Sequence, residues 1–465
     1  MKKRFAALLL ASVVAVSSMA GCSLGQSNSS SAQASQKKTS SVKTKVVVWT
    51  QNRHDSKYMN QVVSDFNKSN SDVQIEYDIQ TEDYNNLISM AAASKQMPDV
   101  MSEVDRDHTT QFANSKIIQP LDSFIQSDAE FQKVNEPSKH VYEGLNAVNE
   151  KIYWVPCGKR SGSRIIYNKE IFSKLNLQPA KTLDELVKDC KEITKAGNKK
   201  YYGIVIPGAS GPFERWIEHS AEMSGVTPYD YKNGKYDFSG YKPFLKAVRQ
   251  MFSDGSVFPG SASLKIDPSR VQFAEGKVAM EGNASQEATV FTEQFPAKME
   301  WGVAQLPTLD GTIKGAESCS PNNGWMMSAS TKDAQKAWKV ISYFGSEKIL
   351  KGYLEGGYTM PMSSYMEKAI DKSKTGRMAD FSGAEYESVY PVAPSVTPEG
   401  QTYEDALWNA CLPNGPDIDK TISQLNTNYN KALNEAISMG KVKRVVVSNY
   451  DPLHPDEGKV QYLDK

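Results

Sequence analysis

Apolar and polar positions alternate along this chain with two periods, 2 and about 3.6, that replace one another in a regular order. Lys45-Val46-Val47-Val48-Trp49 is a short β-branched run suited to a strand covered on both faces. Asp55 then stands as an N-cap before Tyr58, Met59, Val62, Val63 and Phe66, which recur at helical spacing until residues 67–71 break the pattern. Val73, Ile75, Tyr77 and Ile79 alternate with Gln74, Glu76 and Asp78, a strand with one polar face. A second helical stripe carries Tyr84, Leu87, Ile88 and Ala91, and Pro98-Asp99-Val100-Met101 begins a third strand. Strand, helix, strand, helix and strand in fewer than sixty residues predict parallel crossovers and an α/β unit.

The same grammar returns further on. Thr182-Leu183-Asp184-Glu185 is a capping box, and its helix runs to Gly197-Asn198 before the strand 203–206. Phe244, Leu245, Val248, Met251 and Phe252 line one helical face, while 278–280 and 301–304 read as short strands. Near the end, Ile418, Ile422, Leu425, Tyr429, Leu433 and Ile437 step by three or four and stop at Gly440. These stripes are core positions. No internal repeat is present.

The first residues break this pattern and read as a targeting signal. Lys2, Lys3 and Arg4 precede an apolar run, 5–16, that is too short for a membrane span. Met19-Ala20-Gly21-Cys22 resembles the bacterial lipobox, which implies that Cys22 becomes the lipid-modified first residue once residues 1–21 are removed. Residues 22–43, rich in Ser, Gln, Ala and Lys, bury too little to order themselves and predict a flexible tether. The remaining stretch of about 420 residues exceeds one typical core and predicts two lobes. Basic and acidic residues both number 54, so without the three basic residues of the signal the acidic ones lead by three, which offers no footprint for nucleic acid. Cys157, Cys190, Cys319 and Cys411 are isolated, with no CxxC and no His at zinc-ligand spacing, so neither a metal nor another cofactor is expected. Disulfide and buried thiol both stay open for these four.

Four segments, in order, carry a family resemblance. They are 84–101 ending in Pro98-Asp99-Val100; 152–172 with Tyr167-Asn168-Lys169-Glu170-Ile171-Phe172; 273–280 with Glu275-Gly276-Lys277; and Asn323-Gly324-Trp325 leading into a helix from Thr331. On these the chain resembles the family 1 extracellular solute-binding proteins. That resemblance implies an α/β, two-lobed periplasmic-binding-protein-like fold, with a hinge of several chain crossings and a ligand cleft between the lobes. It places the first lobe at 44–154 plus 303–358 and the second at 155–302 plus 359–440, with crossings near Pro156, Val303 and Gly357. Residues 441–465 lie outside the pattern and receive no role.

The cargo implied is a sugar, with ABC permease transmembrane subunits as protein partners, the membrane reached through Cys22, no nucleic acid and a monomeric state. Sugar sites pair aromatic faces with planar amide, carboxylate or guanidinium groups. Open α/β sheets bind at the carboxyl ends of their strands, which singles out the loops after the first and third strands. Gln51 and Asn52 stand in one and Asp105 in the other, each loop being equally readable as plain solvated surface. Trp325 resembles the family's recurrent Gly-Trp at a cleft-facing strand, beside Asn323; hinge packing is its alternative. Trp216 and Trp408 stand where second-lobe platforms occur in the family, with core packing equally open. Asn283, Glu355 and Tyr358 complete the set, and Arg160 after the first crossing offers a bidentate clamp or a surface ion pair. No catalytic residue is expected: G-x-S-x-G, H-E-x-x-H and phosphate-loop patterns are absent, and Lys374-Thr375-Gly376 and Ser438-Met439-Gly440-Lys441, which match two elements of penicillin-binding enzymes, stand in reversed order with no Ser-Asp-Asn between them. A ligand-reporting sensor subunit, or a glycosidase using two of the many carboxylates, remain the alternatives.

Overall fold

The run at 45–49 becomes the strand Thr44–Thr50, with Val46 and Val48 buried. The structure, a computed structural model, describes residues 43–464 except 81–82 and 383–385. The expected leader, Cys22 and the expected tether up to residue 42 lie outside the described residues. Strand Thr44–Thr50 pairs in parallel with Val73–Ile79 on one side and Val100–Ser102 on the other, joined by the helices Ser56–Ser69 and Tyr84–Ser94. The helical stripe buries Met59, Val62, Val63 and Phe66 against this sheet, as its spacing predicts. Asp55 occupies the N-cap position but bonds no helix amide; its carboxylate accepts the Tyr353 hydroxyl at 2.7 Å instead. Two antiparallel strands, Trp325–Ser328 and Ile118–Gln119, complete a five-stranded sheet.

A second, four-stranded sheet runs in spatial order Trp301–Gln305, Arg164–Asn168, Val278–Asn283 and Tyr202–Val205. The capping box forms as expected, with Thr182 accepting the Glu185 amide and Glu185 reaching back, at the head of the helix Leu183–Gly197. Helices Lys242–Ser253 and Ile418–Ser438 present Phe244, Leu245, Val248, Leu425, Tyr429 and Leu433 to one shared core. Full burial of such a side chain is worth about 1.5–3 kcal/mol, so these stripes supply much of the second lobe's cohesion.

The lobes are joined through a three-stranded sheet in which Gly158–Arg160 lies between Ser320–Asn322 and Met360–Pro361. Gly158 is needed there, because a Cβ would come 2.4 Å from the Thr359 methyl and 2.9 Å from Asn322 Oδ1. Two boundaries differ from expectation. Val303 sits inside the second sheet, paired with Ile166, so the return crossing comes later, at 320–322. Ser364–Ala369 packs on the first lobe, with Met366 among Val134, Leu350 and Leu354, so the third crossing follows it. A local strand signal cannot say which sheet a strand joins; that depends on partners distant in the chain.

Residues 441–465 hold a hairpin of Arg444–Ser448 and Lys459–Leu463, with Val445 and Val447 buried. Cys157, Cys190, Cys319 and Cys411 are all free, buried thiols. Among the described residues, no helix is long and apolar enough to cross a membrane, and no group of ligands is arranged for a metal ion.

Candidate functional site

At the carboxyl end of Thr44–Thr50, the Gln51 amide N–H donates to Ser102 Oγ at 3.2 Å and its side-chain nitrogen to the Glu103 carbonyl at 2.8 Å. The loops after the first and third strands are thereby tied into one rim. The Glu103 carboxylate accepts the backbone N–H groups of Asn323 and Gly324, each at 3.1 Å. Asn323 takes a left-handed backbone, φ 57°, and Gly324 lies flat on Trp154, where a Cβ would sit 2.2 Å from the ring. Burial pushes Glu103 up to about 7, against the opposing pull of those amides and of Arg160.

Arg160, from the central hinge strand, faces the same group. Its charge acts on His54, Asp55 and Glu103 at once. Burial, then Arg160, lowers His54 to about 4, so the imidazole is neutral near pH 7. Burial raises Asp55 to about 6, only partly offset by the Tyr353 hydroxyl, and Asp55 Oδ1 has no partner among the described residues. The Arg160 guanidinium forms neither an ion pair nor a hydrogen bond among the described residues, whereas Arg164 and Arg270 are each fully engaged.

The opposing lobe presents a buried charge cluster at the end of Val278–Asn283. Asn283 donates to Glu287 Oε1 at 2.8 Å and accepts from Gln286 at 2.9 Å and Arg215 at 3.4 Å. Arg270 donates to Glu287 and, at 3.0 Å, to Asp267. Glu281, 2 % exposed, leaves Oε1 unpartnered; burial and the neighbouring Glu287 push it well above the usual carboxylate range. Ser161 Oγ and Gln286 Oε1 are likewise buried without a partner among the described residues. Across the gap, Arg53 Nη2 approaches Asp267 Oδ2 at 3.6 Å, both side chains partly exposed.

Several expected contacts are committed elsewhere. Trp325 is 5 % exposed and packs on Phe344, ring centroids 4.8 Å apart, and on Tyr77 at 6.4 Å; its indole is core, and it offers no open face. Trp216, 1 % exposed, lies under Gly282, and Trp408 packs edge-on to Phe252 at 5.7 Å. Asp105 caps the helix Arg106–Asn114 through the His108 amide and also accepts Asn85. Glu355 is engaged with the Asp371 amide and with Lys351 and Lys374. Tyr358 is half-buried against Tyr58 and Tyr353, at 5.7 and 5.2 Å. Gln51, Asn52 and Asn323 therefore stand at the strand ends of the first sheet and Arg160 on the hinge strand, while Asn283, 3 % exposed, is committed to Glu287, Gln286 and Arg215 within the second lobe. A separate hollow of about 860 Å³, lined by Thr44, Lys45, Asp99 and Thr331, opens at the opposite, amino ends of the first sheet's strands.

A family model described as bacterial extracellular solute-binding protein matches residues 50–351, well over half of the chain. The chain belongs to that family. Among solved structures, RafE of Streptococcus pneumoniae in complex with raffinose is 18 % identical, with a TM-score of 0.64 over 84 % of this chain and 99 % of that one. The GacH receptor of Streptomyces glaucescens, studied unliganded and with acarbose, gives 18 % identity and a TM-score of 0.67 over 85 % and 100 %. MalE of Bdellovibrio bacteriovorus bound to maltotriose gives 17 % and 0.62 over 84 % and 100 %. No curated protein matches the chain by sequence. At these identities the likeness establishes the two-lobed solute-binding fold.

For this solute-binding protein, sequence reasoning missed His54, Asp55, Glu103, Arg215, Glu281 and Glu287. His54 and Glu103 stood inside the strand-end loops already singled out, so that rule could have found them. Glu287 and Arg215 carry no local signal; only the fold brings them to Asn283.

Proposed function

We propose that the protein captures a carbohydrate, an oligosaccharide in particular, between its lobes and delivers it to the transmembrane subunits of an ABC importer while tethered through lipid on Cys22. The observation that supports this reading best is the Arg160 guanidinium on the hinge strand, which has no ion pair or hydrogen bond among the described residues and whose charge acts on His54, Asp55 and Glu103, the last tied to Gln51 and Asn323 on the same rim. Fixed planar donors and acceptors of this kind suit the hydroxyls of a neutral sugar. Among the described residues no cluster of free cations accompanies them, as a multiply anionic ligand would favour. Each lobe contributes part of the polar surface, so a ligand touching both favours the closed arrangement by its differential affinity.

The test is a thermal-shift screen across raffinose, maltotriose, monosaccharides, amino acids, polyamines and phosphates. A tight ligand raises Tm by mass action, so an oligosaccharide arm is expected to respond, and Arg160→Ala and Gln51→Ala to lose that response. A shift with polyamine or amino acid alone overturns the sugar assignment. Appearance of cleavage products during incubation overturns the binding role in favour of hydrolysis. Acyl incorporation that disappears in Cys22→Ser tests the anchor, and co-purification with permease subunits tests delivery.

A further inference from the structure

The hollow at the amino ends of the first sheet's strands takes no part in the cleft, yet it gathers charge. Lys45, Lys95, Lys116 and Lys332, all exposed, line its space of about 860 Å³ together with Asp99 and Asp333. Both acids are committed inwards. Asp99 accepts the Val47 amide at 2.9 Å and the Thr331 hydroxyl at 2.6 Å, and Asp333 accepts the Lys336 amide at 3.1 Å at the head of the helix Ala334–Phe344. Lys45 pairs with Glu76 at 2.7 Å, both side chains exposed. The ammonium groups of Lys95, Lys116 and Lys332 form no ion pair or hydrogen bond among the described residues.

Local stability does not account for these three lysines. Lys95 closes the helix Tyr84–Ser94 and Lys116 follows the helix Arg106–Asn114, both with left-handed backbones, φ 59° and 55°, where Gly or Asn fits with less strain. A cation suits those negative helix ends. Lys332, however, stands just before the positive end of Ala334–Phe344, where a cation is unfavourable. What the three share is the hollow. The chain outside the described residues joins the body at Lys43, beside Thr44 and Lys45, which line the same hollow. Between Cys22 and Lys43 it carries Lys37 and Lys38 and no acidic residue.

We propose that this hollow is a resting face for an anionic membrane surface, with Lys95, Lys116 and Lys332 set against lipid phosphates close to the point where the anchoring chain leaves the body. Its bearing on transport rests on the tethering through Cys22 proposed above. Each lysine held within about 8 Å of such a surface favours it about fivefold, so three favour this face about a hundredfold over a random presentation. The rim of Gln51 and Glu103 lies at the other end of the same strands, so the cleft then points away from the membrane, towards arriving solute. A contact made by charge alone is screened by salt and lets the body lift for delivery.

The test supplies the anchor chemically. Cys157, Cys190, Cys319 and Cys411 are buried, so the chain from Cys22 onward couples to a maleimide lipid through that thiol whether or not the cell acylates it. The coupled chain is placed on vesicles of phosphatidylcholine alone or mixed with phosphatidylglycerol, lysines are acetylated for a limited time, and mass spectrometry reads the rate at each. Labelling of Lys95, Lys116 and Lys332 is expected to slow about fivefold or more on the anionic vesicles and to recover in high salt. Lys246 and Lys431, exposed on the second lobe, are expected to label alike on both. In the triple variant Lys95→Glu/Lys116→Glu/Lys332→Glu, Lys45 should lose its protection. Equal rates on the two vesicles, an equal slowing at every lysine, or protection of Lys45 that survives the triple variant overturns the contact. Protection by soluble polyphosphate and none by the vesicle assigns the hollow to a free polyanion and overturns it equally. Absence of acylation in the cell would remove the natural anchor without altering these rates, so the two failures are told apart.

Discussion

The two lobes meet the cleft with opposite solutions to the same problem. The first lobe offers a rim of loops whose polar side chains are partly exposed and held mainly by main-chain groups: Gln51 on the Glu103 carbonyl, Glu103 on the Asn323 and Gly324 amides. The second lobe buries its polar groups outright, with Glu281, Glu287 and Asn283 at 3 % exposure or less and two arginines among them. A rim held this way tolerates loss of a side chain such as Gln51, which leaves no buried charge behind, though not of Glu103, whose carboxyl is the acceptor for two amides. A buried charge cluster does not, because each member is neutralised only by the others. Side chains of the first rim other than Glu103 can therefore vary with little change in stability, whereas the second-lobe cluster is a structural element.

Arg270→Ala breaks this comparison most severely if it is wrong. The side chain is the main counter-charge for Glu287, so its removal leaves Glu281 and Glu287 buried with only Arg215 nearby. Loss of one partner of a buried pair costs about 3–5 kcal/mol. Urea unfolding should show a midpoint shift of that size with unchanged slope. A loss below about 0.5 kcal/mol, typical of an unremarkable surface site, means the cluster is solvated and the contrast between lobes fails.

Trp325→Ala comes next, at about 3 kcal/mol for a buried indole removed from between Phe344 and Tyr77. The sequence expectation was the reverse, lost affinity with an intact fold. If ligand response falls while the unfolding midpoint holds, the indole reaches cargo and its core position is wrong.

Glu103→Gln sharpens the first rim. The carboxyl ordinarily titrates at 4.5 and is raised to about 7 in the folded chain, mainly by burial. Between these values the unfolded chain releases the proton while the folded one keeps it, so stability is highest below 4.5 and falls as pH rises towards 7. Asp55, Glu317 and Glu218 are raised in the same sense, and His54, lowered to about 4, works against them. The amide removes one contribution, so the fall between pH 4.5 and 7 should be shallower in the variant, with a cost of about 1–3 kcal/mol below that window from the displaced acceptor. Parallel profiles for variant and parent would mean that Glu103 is open to water.

How much of this was legible follows from which interactions are local. Val46 and Val48, the stripe from Met59 to Phe66 and the Thr182–Glu185 box each carry their structure within a few residues, and each appears where its pattern predicts. Gln51 and Glu103 sit where strand-end logic places them, because crossover geometry puts those ends together. The packing of Trp325 was not legible, while for Trp216 and Trp408 core packing had stayed equally open. An indole in a polar neighbourhood such as Pro321-Asn322-Asn323-Gly324 reads as a platform, yet the strand it begins turns Trp325 inwards, onto a helix that follows it in the chain. Val303 shows the same limit, since strand propensity does not name the sheet. The charged second-lobe surface was invisible for a third reason: Arg215, Arg270 and Glu287 come from separate elements and meet only once the sheet has formed.

The smallest effect concerns the contact between the two surfaces. Arg53 and Asp267 approach to 3.6 Å across the lobes with side chains 62 % and 41 % exposed, and Asp267 also serves Arg270 at 3.0 Å. An exposed pair of this kind is worth about 0.2–1 kcal/mol and is screened over about 8 Å at physiological salt. Because the pair closes only when the lobes are near, its energy acts on the lobe equilibrium and hence on affinity, while each lobe's own unfolding is untouched. A double-mutant cycle of Arg53→Ala and Asp267→Asn, read by titration with the sugar that the screen selects, should give a coupling of up to about 1 kcal/mol, at most a fivefold change in Kd. That coupling should shrink in 0.5 M salt and leave the Arg53→Ala unfolding midpoint unchanged. Strict additivity at low salt would mean that the pair contributes nothing to closure, and that the two surfaces communicate through cargo and hinge alone.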